Sequence, residues 1–82
     1  MNAAKRKQNE NEFEHWEELP EGGRKYWFDT KGKTGGFARY IKTVNREELT
    51  ISFVQEIYNA SNELVEIHEK YPVDKGHIKL NQ

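Results

Sequence analysis

The sequence predicts an α+β domain, in which a short helical segment precedes a four- or five-stranded antiparallel β-meander. Residues 49–71 form the pattern of a complete β-hairpin, with two arms of alternating apolar and polar residues around a central turn. Two further β-type runs, residues 24–29 and 37–44, come before it and are bounded by glycine-rich or polar turns. Because strands joined by short turns pair with their neighbours in the chain, we expect a meander.

Composition limits the classes of function. The 82 residues suit one small domain with a narrow margin of stability, and the formal net charge of −1 excludes a global electrostatic attraction to nucleic acid. The absence of cysteine excludes a disulfide framework and a thiolate zinc site. No apolar run approaches the roughly 20 residues that span a bilayer, and no signal sequence follows Met1. We therefore expect a cytoplasmic protein with no cofactor and no metal ion.

The N-terminal region divides into two predicted parts. Residues 1–11 lack apolar periodicity and are expected to be a disordered or frayed tail, so that the single domain comprises residues 12–82. Within residues 10–19, Phe13, Trp16 and Leu19 are spaced three apart, which predicts a short amphipathic helical segment. A helix this short is not stable alone, and it must dock on the sheet or on a second chain.

The glycine-rich connection over residues 29–36 contains Gly32-Lys33-Thr34, which resembles part of a phosphate-binding loop. Such a loop is followed directly by a helix, whereas here the β-type run of residues 37–44 follows. The pattern therefore favours a hairpin loop. At the other end of the chain Pro72 cannot continue a central strand, and residues 77–80 are expected to add a short edge strand.

The register of the central hairpin follows from its turn. Asn59-Ala60-Ser61-Asn62 suits a type I turn that ends with a left-handed residue at Asn62. We pair Ile57 with Val65 across this turn. Alternation then places Phe53 and Ile67 in the core and His68 on the opposite face. In the first arm Leu49 and Ile51 are expected to share the apolar side with Phe53.

A second apolar face of the sheet provides the candidate binding residues. Trp27, Tyr40, Val54 and Tyr58 fall on alternations opposite the clearest core positions, and we add Arg39 to this set. One short helix cannot cover this surface together with the core face. We expect a homodimer or another protein partner to cover it. The alternatives are a wrapped N-terminal segment, or a platform for a peptide or for the stacked bases of single-stranded RNA.

The titratable residues offer a weaker candidate for chemistry. His68 is predicted to share a face with Glu56 and Glu66, and a carboxylate beside an imidazole is an arrangement found in general acid–base sites. His77 follows nine residues later, but two histidines without a third ligand do not make a metal site. We favour histidines exposed at the surface.

One resemblance to a known family bears on this region. Residues 53–80 comprise a strand, the turn Tyr58-Asn59-Ala60-Ser61-Asn62-Glu63-Leu64, a strand ending at Tyr71-Pro72, and a closing His77. This ending resembles small prokaryotic toxins of the TumE type. The resemblance implies a metal-independent ribonuclease activity carried by His68, Tyr71 and His77, and a toxin–antitoxin or phage-defence context.

These observations lead to a small non-catalytic binding module as the preferred function, because the sequence has neither a dense histidine cluster nor a basic cleft. The alternative is a metal-independent ribonuclease that uses His68 and His77. That enzyme requires both histidines to converge with Arg39 or Lys75 around a cleft, whereas a binding module requires a broad apolar face.

Overall fold

The structure, a computed structural model, describes residues 2–80. The strands follow one another in the sheet in the order in which they occur in the chain, and every neighbouring pair is antiparallel. The predicted meander is therefore confirmed, although it has six strands within the described residues rather than four or five. The elements are helix α1 (Ala3–Glu12), a 3₁₀ turn (Pro20–Gly22), and strands β1 (His15–Glu18), β2 (Arg24–Lys31), β3 (Phe37–Val44), β4 (Thr50–Tyr58), β5 (Leu64–Tyr71) and β6 (His77–Lys79).

Helix α1 lies where the sequence predicted a frayed tail. Its residues are mostly good helix formers, and the Asn2 side chain caps it by accepting a 3.0 Å hydrogen bond from the backbone N–H of Lys5. The prediction fails for residues 3–11 because polar contacts, not an apolar stripe, hold this helix to the sheet. Met1, Asn81 and Gln82, which belong to the predicted tail and domain, lie outside the described residues.

The amphipathic helix predicted over residues 10–19 is also wrong beyond Glu12. The helix ends at Phe13, and residues 15–18 form strand β1 instead, with Trp16 directly opposite Tyr26 of β2. The spacing of Phe13, Trp16 and Leu19 is compatible with a helix, but pairing with β2 satisfies the backbone of β1 and decides the outcome.

The sheet has two faces of different character, since residues directly opposite one another on neighbouring strands share a face. The helix face is the side on which α1 packs, and the open face is the reverse side. The helix face carries Tyr26, Phe28, Tyr40, Val44, Phe53 and His68, and the open face carries Trp27, Arg39, Ile41, Val54, Tyr58 and Ile67.

The core is small and lies between α1 and the helix face. Among residues 2–80 the buried apolar side chains are Phe13, Tyr26 and Val44, and Phe28 and Phe53 pack against them. The ring of Phe13 lies 5.7 Å from that of Tyr26 and 5.4 Å from that of Phe28, measured between centroids. The chain exposes 5698 Å², whereas a monomer of this mass typically exposes about 5,100 Å². The sheet is therefore open rather than wrapped around a core.

The predicted register of the central hairpin is wrong by one residue. Tyr58 pairs with Leu64, but an irregularity follows, and Ile57 pairs with Glu66 rather than with Val65. A bulge of one residue moves every later side chain to the other face. Ile67 therefore lies on the open face, whereas His68 lies on the helix face with Phe53. The expectation that Phe53 packs against the core is confirmed.

A second irregularity affects the beginning of β4. Thr43 pairs with Ser52 and Val44 with Thr50, so Ile51 is the extra residue. As a result Leu49 and Ile51 do not join the core side, and they are 51% and 52% exposed. The turn at residues 59–62 is as predicted, because Asn62 has φ of 63° and the Asn59 side chain accepts hydrogen bonds from the backbone N–H groups of Ser61 and Glu63.

Candidate functional site

The open face is a broad, largely apolar surface. Trp27, Ile41 and Val54 lie directly opposite one another across β2, β3 and β4 and are half-buried by their neighbours within the sheet. Ile67 and Ile78 extend the apolar surface onto β5 and β6. No helix or strand among residues 2–80 packs over this face.

Aromatic rings on the open face stack on one another. Phe37 and Tyr58 are nearly parallel, with centroids 4.6 Å apart and an interplanar angle of 9°. His15 and Trp27 stack at 5.5 Å and 25°. The guanidinium carbon of Arg39 lies 5.5 Å from the Phe37 centroid. Each stacked ring has one face covered by its neighbour, which reduces the ring surface that is free for a partner.

Two ion pairs lie within the open face. Arg39 donates two hydrogen bonds to the Asp29 carboxylate, at 2.8 Å from Nε and 3.1 Å from a terminal nitrogen. This contact raises the pKa of Arg39 and lowers that of Asp29. The Lys25 ammonium lies 3.7 Å from the Glu17 carboxylate. Charges that are already paired with one another meet a neutral partner at little electrostatic cost.

Tyr58 is held by Glu56 on the same face. The Tyr58 hydroxyl donates a 2.7 Å hydrogen bond to the Glu56 carboxylate. Burial raises the pKa of Tyr58, and the neighbouring Glu56 carboxylate raises it further. The hydroxyl is therefore a fixed hydrogen-bond donor and not a base.

Four of the five predicted binding residues, Trp27, Arg39, Val54 and Tyr58, share the open face. Tyr40 does not. It lies on the helix face, where its ring stacks on Phe28 at 5.0 Å and its hydroxyl accepts a 3.0 Å hydrogen bond from Gln55. The placement of Tyr40 with Trp27 was wrong because the sequence does not give the β2–β3 register, in which Trp27 is opposite Ile41 and Phe28 is opposite Tyr40.

The two candidate catalytic histidines converge. His68 and His77 are directly opposite one another on β5 and β6, and their ring centroids are 4.4 Å apart. His68 Nε2 donates to the Asp74 carboxylate at 2.6 Å, and His77 Nδ1 is in close contact with the Glu66 carboxylate. The contact with His68 lowers the pKa of Asp74, with a further contribution from the backbone N–H of Gly76. Each imidazole is thus oriented by its own carboxylate.

Other groups expected near the histidines lie elsewhere. Arg39 and Glu56 are on the open face, and Lys75 forms an ion pair with Glu69 at 3.5 Å. Tyr71 is opposite Phe53 and is 48% exposed. Among residues 2–80 no group of three or more His, Cys, Asp or Glu residues has a geometry that would hold a metal ion.

Sequence reasoning missed a buried carboxylate, Glu48. It is 2% exposed and has φ of 69°, a conformation that is uncommon outside glycine and asparagine. Its carboxylate accepts hydrogen bonds from the Tyr26 hydroxyl, from Asn9 Nδ2 at 3.0 Å and from Arg6 Nε at 3.1 Å. Burial alone would raise the pKa of Glu48, but these donors outweigh burial and hold the pKa below its usual value.

A sequence signal for Glu48 does exist. The segment Asn45–Leu49 repeats the turn of Asn59–Glu63, with an asparagine whose side chain accepts two backbone hydrogen bonds and a left-handed residue three positions later. Glu48 occupies the place of Asn62. A glutamate where asparagine or glycine is favoured marks a position that is kept for its side-chain contacts.

Arg24 forms the second polar anchor of the helix. Its guanidinium donates at 2.6 Å to Glu10 of α1 and lies 2.6 Å from a carboxylate oxygen of Glu18 in β1. Burial acts to lower the pKa of Arg24, yet the two carboxylates raise it overall. Together with Glu48, Arg24 fixes a helix that has almost no apolar surface.

No family model, curated protein or solved structure matches this chain. No helix within residues 2–80 is long and apolar enough to cross a membrane. The fold and the candidate site define a small antiparallel β-domain with one helix-covered face and one open face.

Proposed function

We propose that this protein is a small non-catalytic interaction module whose open face binds a second copy of the same chain. The observation that carries the proposal is the uncovered apolar surface formed by Trp27, Ile41 and Val54, beside which two ion pairs lie within the same face. A prokaryotic toxin–antitoxin or phage-defence context is proposed on the resemblance of residues 53–80 alone.

The dimensions of the open face suit a protein interface. Six strands spaced about 4.8 Å apart, with a longest strand of about 30 Å, give a face of roughly 700 Å² in projection. Side-chain relief makes its accessible area larger than this projection. A stable protein interface buries about 800 Å² on each partner. The open face is therefore large enough for one such contact.

Charge favours a second copy over RNA. The open face carries Lys25, Lys31 and Arg39 against Glu17, Asp29, Glu56 and Glu69, so it has no basic excess to attract phosphates. Its stacked rings each have one face covered by a neighbour, whereas base stacking needs free ring faces. A nearly neutral surface meets a copy of itself without strong like-charge repulsion.

Sedimentation velocity of two lysine variants tests this proposal. Val54→Lys places a charge at the centre of the open face, and Ile57→Lys places the same charge in the same strand on the helix face, near Glu66. At high micromolar concentration we expect the unaltered chain and Ile57→Lys to sediment as dimers. Val54→Lys should be monomeric, because association would bury a charge at the centre of the interface and remove it from water.

Circular dichroism of each variant verifies that the sheet is intact. A monomeric unaltered chain at this concentration would refute the proposal. A Val54→Lys variant that dimerises as strongly as the unaltered chain would refute it too.

The histidine pair supports a second candidate function, a metal-independent ribonuclease. Two imidazoles 4.4 Å apart, each oriented by a carboxylate, have the groups that general acid–base catalysis needs. We nevertheless expect the protein to cleave single-stranded RNA in the presence of a chelator no faster than a His68→Ala, His77→Ala double variant. Removal of a general acid or base typically lowers a rate by about 10²- to 10⁴-fold. Chelator-resistant cleavage that the folded double variant lacks would establish the enzyme instead.

A further inference from the structure

A groove on the helix face lies beside the C-terminal end of α1, on the opposite side of the sheet from the open face. Its volume is about 830 Å³, within the range of small-molecule sites. The apolar lining consists of Phe13, Leu49, Phe53 and Tyr71. Leu49 and Tyr71 are large side chains that remain about half exposed here, at 51% and 48%. Apolar area of this kind favours a ligand with an apolar body.

A cation lies in the same groove. Lys42 of β3 is half-buried, its ammonium donates a 2.9 Å hydrogen bond to Asn9 Oδ1, and it lies 5.9 Å from the centroid of the Phe13 ring. Among residues 2–80 no carboxylate oxygen comes within 4.0 Å of this ammonium. A half-buried cation without a carboxylate partner gains most from an added anion.

The position of the Lys42 ammonium is fixed by the buried polar cluster. Asn9 is 4% exposed, and its Nδ2 group donates to the Glu48 carboxylate, which leaves its Oδ1 directed at Lys42. Glu12, the acidic residue of the groove, accepts a 3.1 Å hydrogen bond from Gln8 of its own helix. One ammonium is therefore held in place beside the apolar lining, and the Glu12 carboxylate is engaged by Gln8 rather than by Lys42.

We infer that this groove binds an amphiphilic carboxylate, such as a fatty acid or an aryl acid. The apolar part of the ligand packs on Phe13, Phe53 and Leu49, and its carboxylate accepts hydrogen bonds from the Lys42 ammonium. The inference does not rest on the proposed dimer, since the groove and the open face lie on opposite sides of the sheet.

Calorimetric titration with decanoate, and with decan-1-ol as the uncharged chain of equal length, tests the inference. The variants are Lys42→Met, which keeps an apolar stem, and Lys31→Met, which removes a lysine from the open face. We expect decanoate to bind the unaltered chain and Lys31→Met equally. Lys42→Met should bind decanoate about tenfold more weakly, as expected for one lost charge-assisted hydrogen bond. Decan-1-ol should bind weakly to all three.

A second variant and chemical-shift mapping of the decanoate site test the inference even if Lys42→Met does not fold. Leu49→Asn alters an exposed groove residue outside the polar cluster, and it should also weaken decanoate binding. Amide chemical-shift changes on adding decanoate should centre on Phe53 and Tyr71. The inference is overturned if decanoate fails to bind, if it binds no better than decan-1-ol, or if the shifts centre on Trp27 and Val54.

Discussion

At the scale of single residues, Glu48 explains why a polar helix stays on this sheet. Its left-handed backbone costs energy, which the contacts to Tyr26, Asn9 and Arg6 offset. Removing the negative charge would leave Arg6 and the other donors without a charged acceptor in a site that is shielded from water.

Glu48→Gln should lower the free energy of unfolding by about 2 kcal/mol at neutral pH, because buried donors lose a charged acceptor. The folded-state pKa of Glu48 is below the usual 4.5, so its contribution is present above pH 4.5 and is lost as the pH falls through the folded-state value. Melting temperature measured against pH should therefore fall less steeply on the acid side for Glu48→Gln. The matched control is Glu47→Gln, an exposed neighbour. If the melting temperatures of Glu48→Gln and of the unaltered chain fell equally steeply as the pH is lowered, this role would be contradicted.

At the scale of elements, helix α1 is held to the sheet with almost no apolar side chain of its own in the core. Ten residues are too few for a stable isolated helix. The polar anchors at Glu48 and Arg24 orient it, and Phe13 at its end supplies the apolar contact with Tyr26 and Phe28.

Phe13→Ala should destabilise the domain by about 3 to 5 kcal/mol, because it removes a buried aromatic side chain and leaves a cavity. Denaturant unfolding followed by circular dichroism measures this loss, and amide hydrogen exchange should show α1 exchanging first. Val73→Ala is the control, since Val73 is 60% exposed. If Phe13→Ala unfolds at the same denaturant concentration as the control, the small core described here is wrong.

The elements differ in how far the sequence predicts them. Local alternation and turn residues predict strands β2 to β5. The Asn59 side chain determines the geometry of the turn that it begins. The extra residue Val65 in β5 has no local signal in the sequence, so the faces of Ile67 and His68 were assigned wrongly. The extra residue Ile51 in β4 has none either, so Leu49 and Ile51 were wrongly placed on the core side. Helix α1 was missed because its partner, Glu48, is 39 residues from Asn9. Four of the five candidate binding residues share one face because alternation within each strand places them there, and their binding role stays a prediction.

At the scale of the whole molecule, the two faces of the six-stranded sheet are covered unequally. A ten-residue helix partly covers one face, and the other face is uncovered within the described residues. With three buried apolar side chains among these residues, a monomer buries little apolar surface and gains little stability from that burial. Covering the open face with a second copy would add the apolar burial that the single chain lacks.

Isotope-filtered nuclear Overhauser spectroscopy on a mixture of labelled and unlabelled chains tests this claim most directly, because it detects only contacts between copies. We predict intermolecular signals from the methyl groups of Ile41, Val54 and Ile67 and from the ring of Trp27. Ile57, on the helix face, should give none. Intermolecular signals confined to Ile57 and its neighbours, or no intermolecular signal at high micromolar concentration, would contradict the proposal that the open face is the dimer interface.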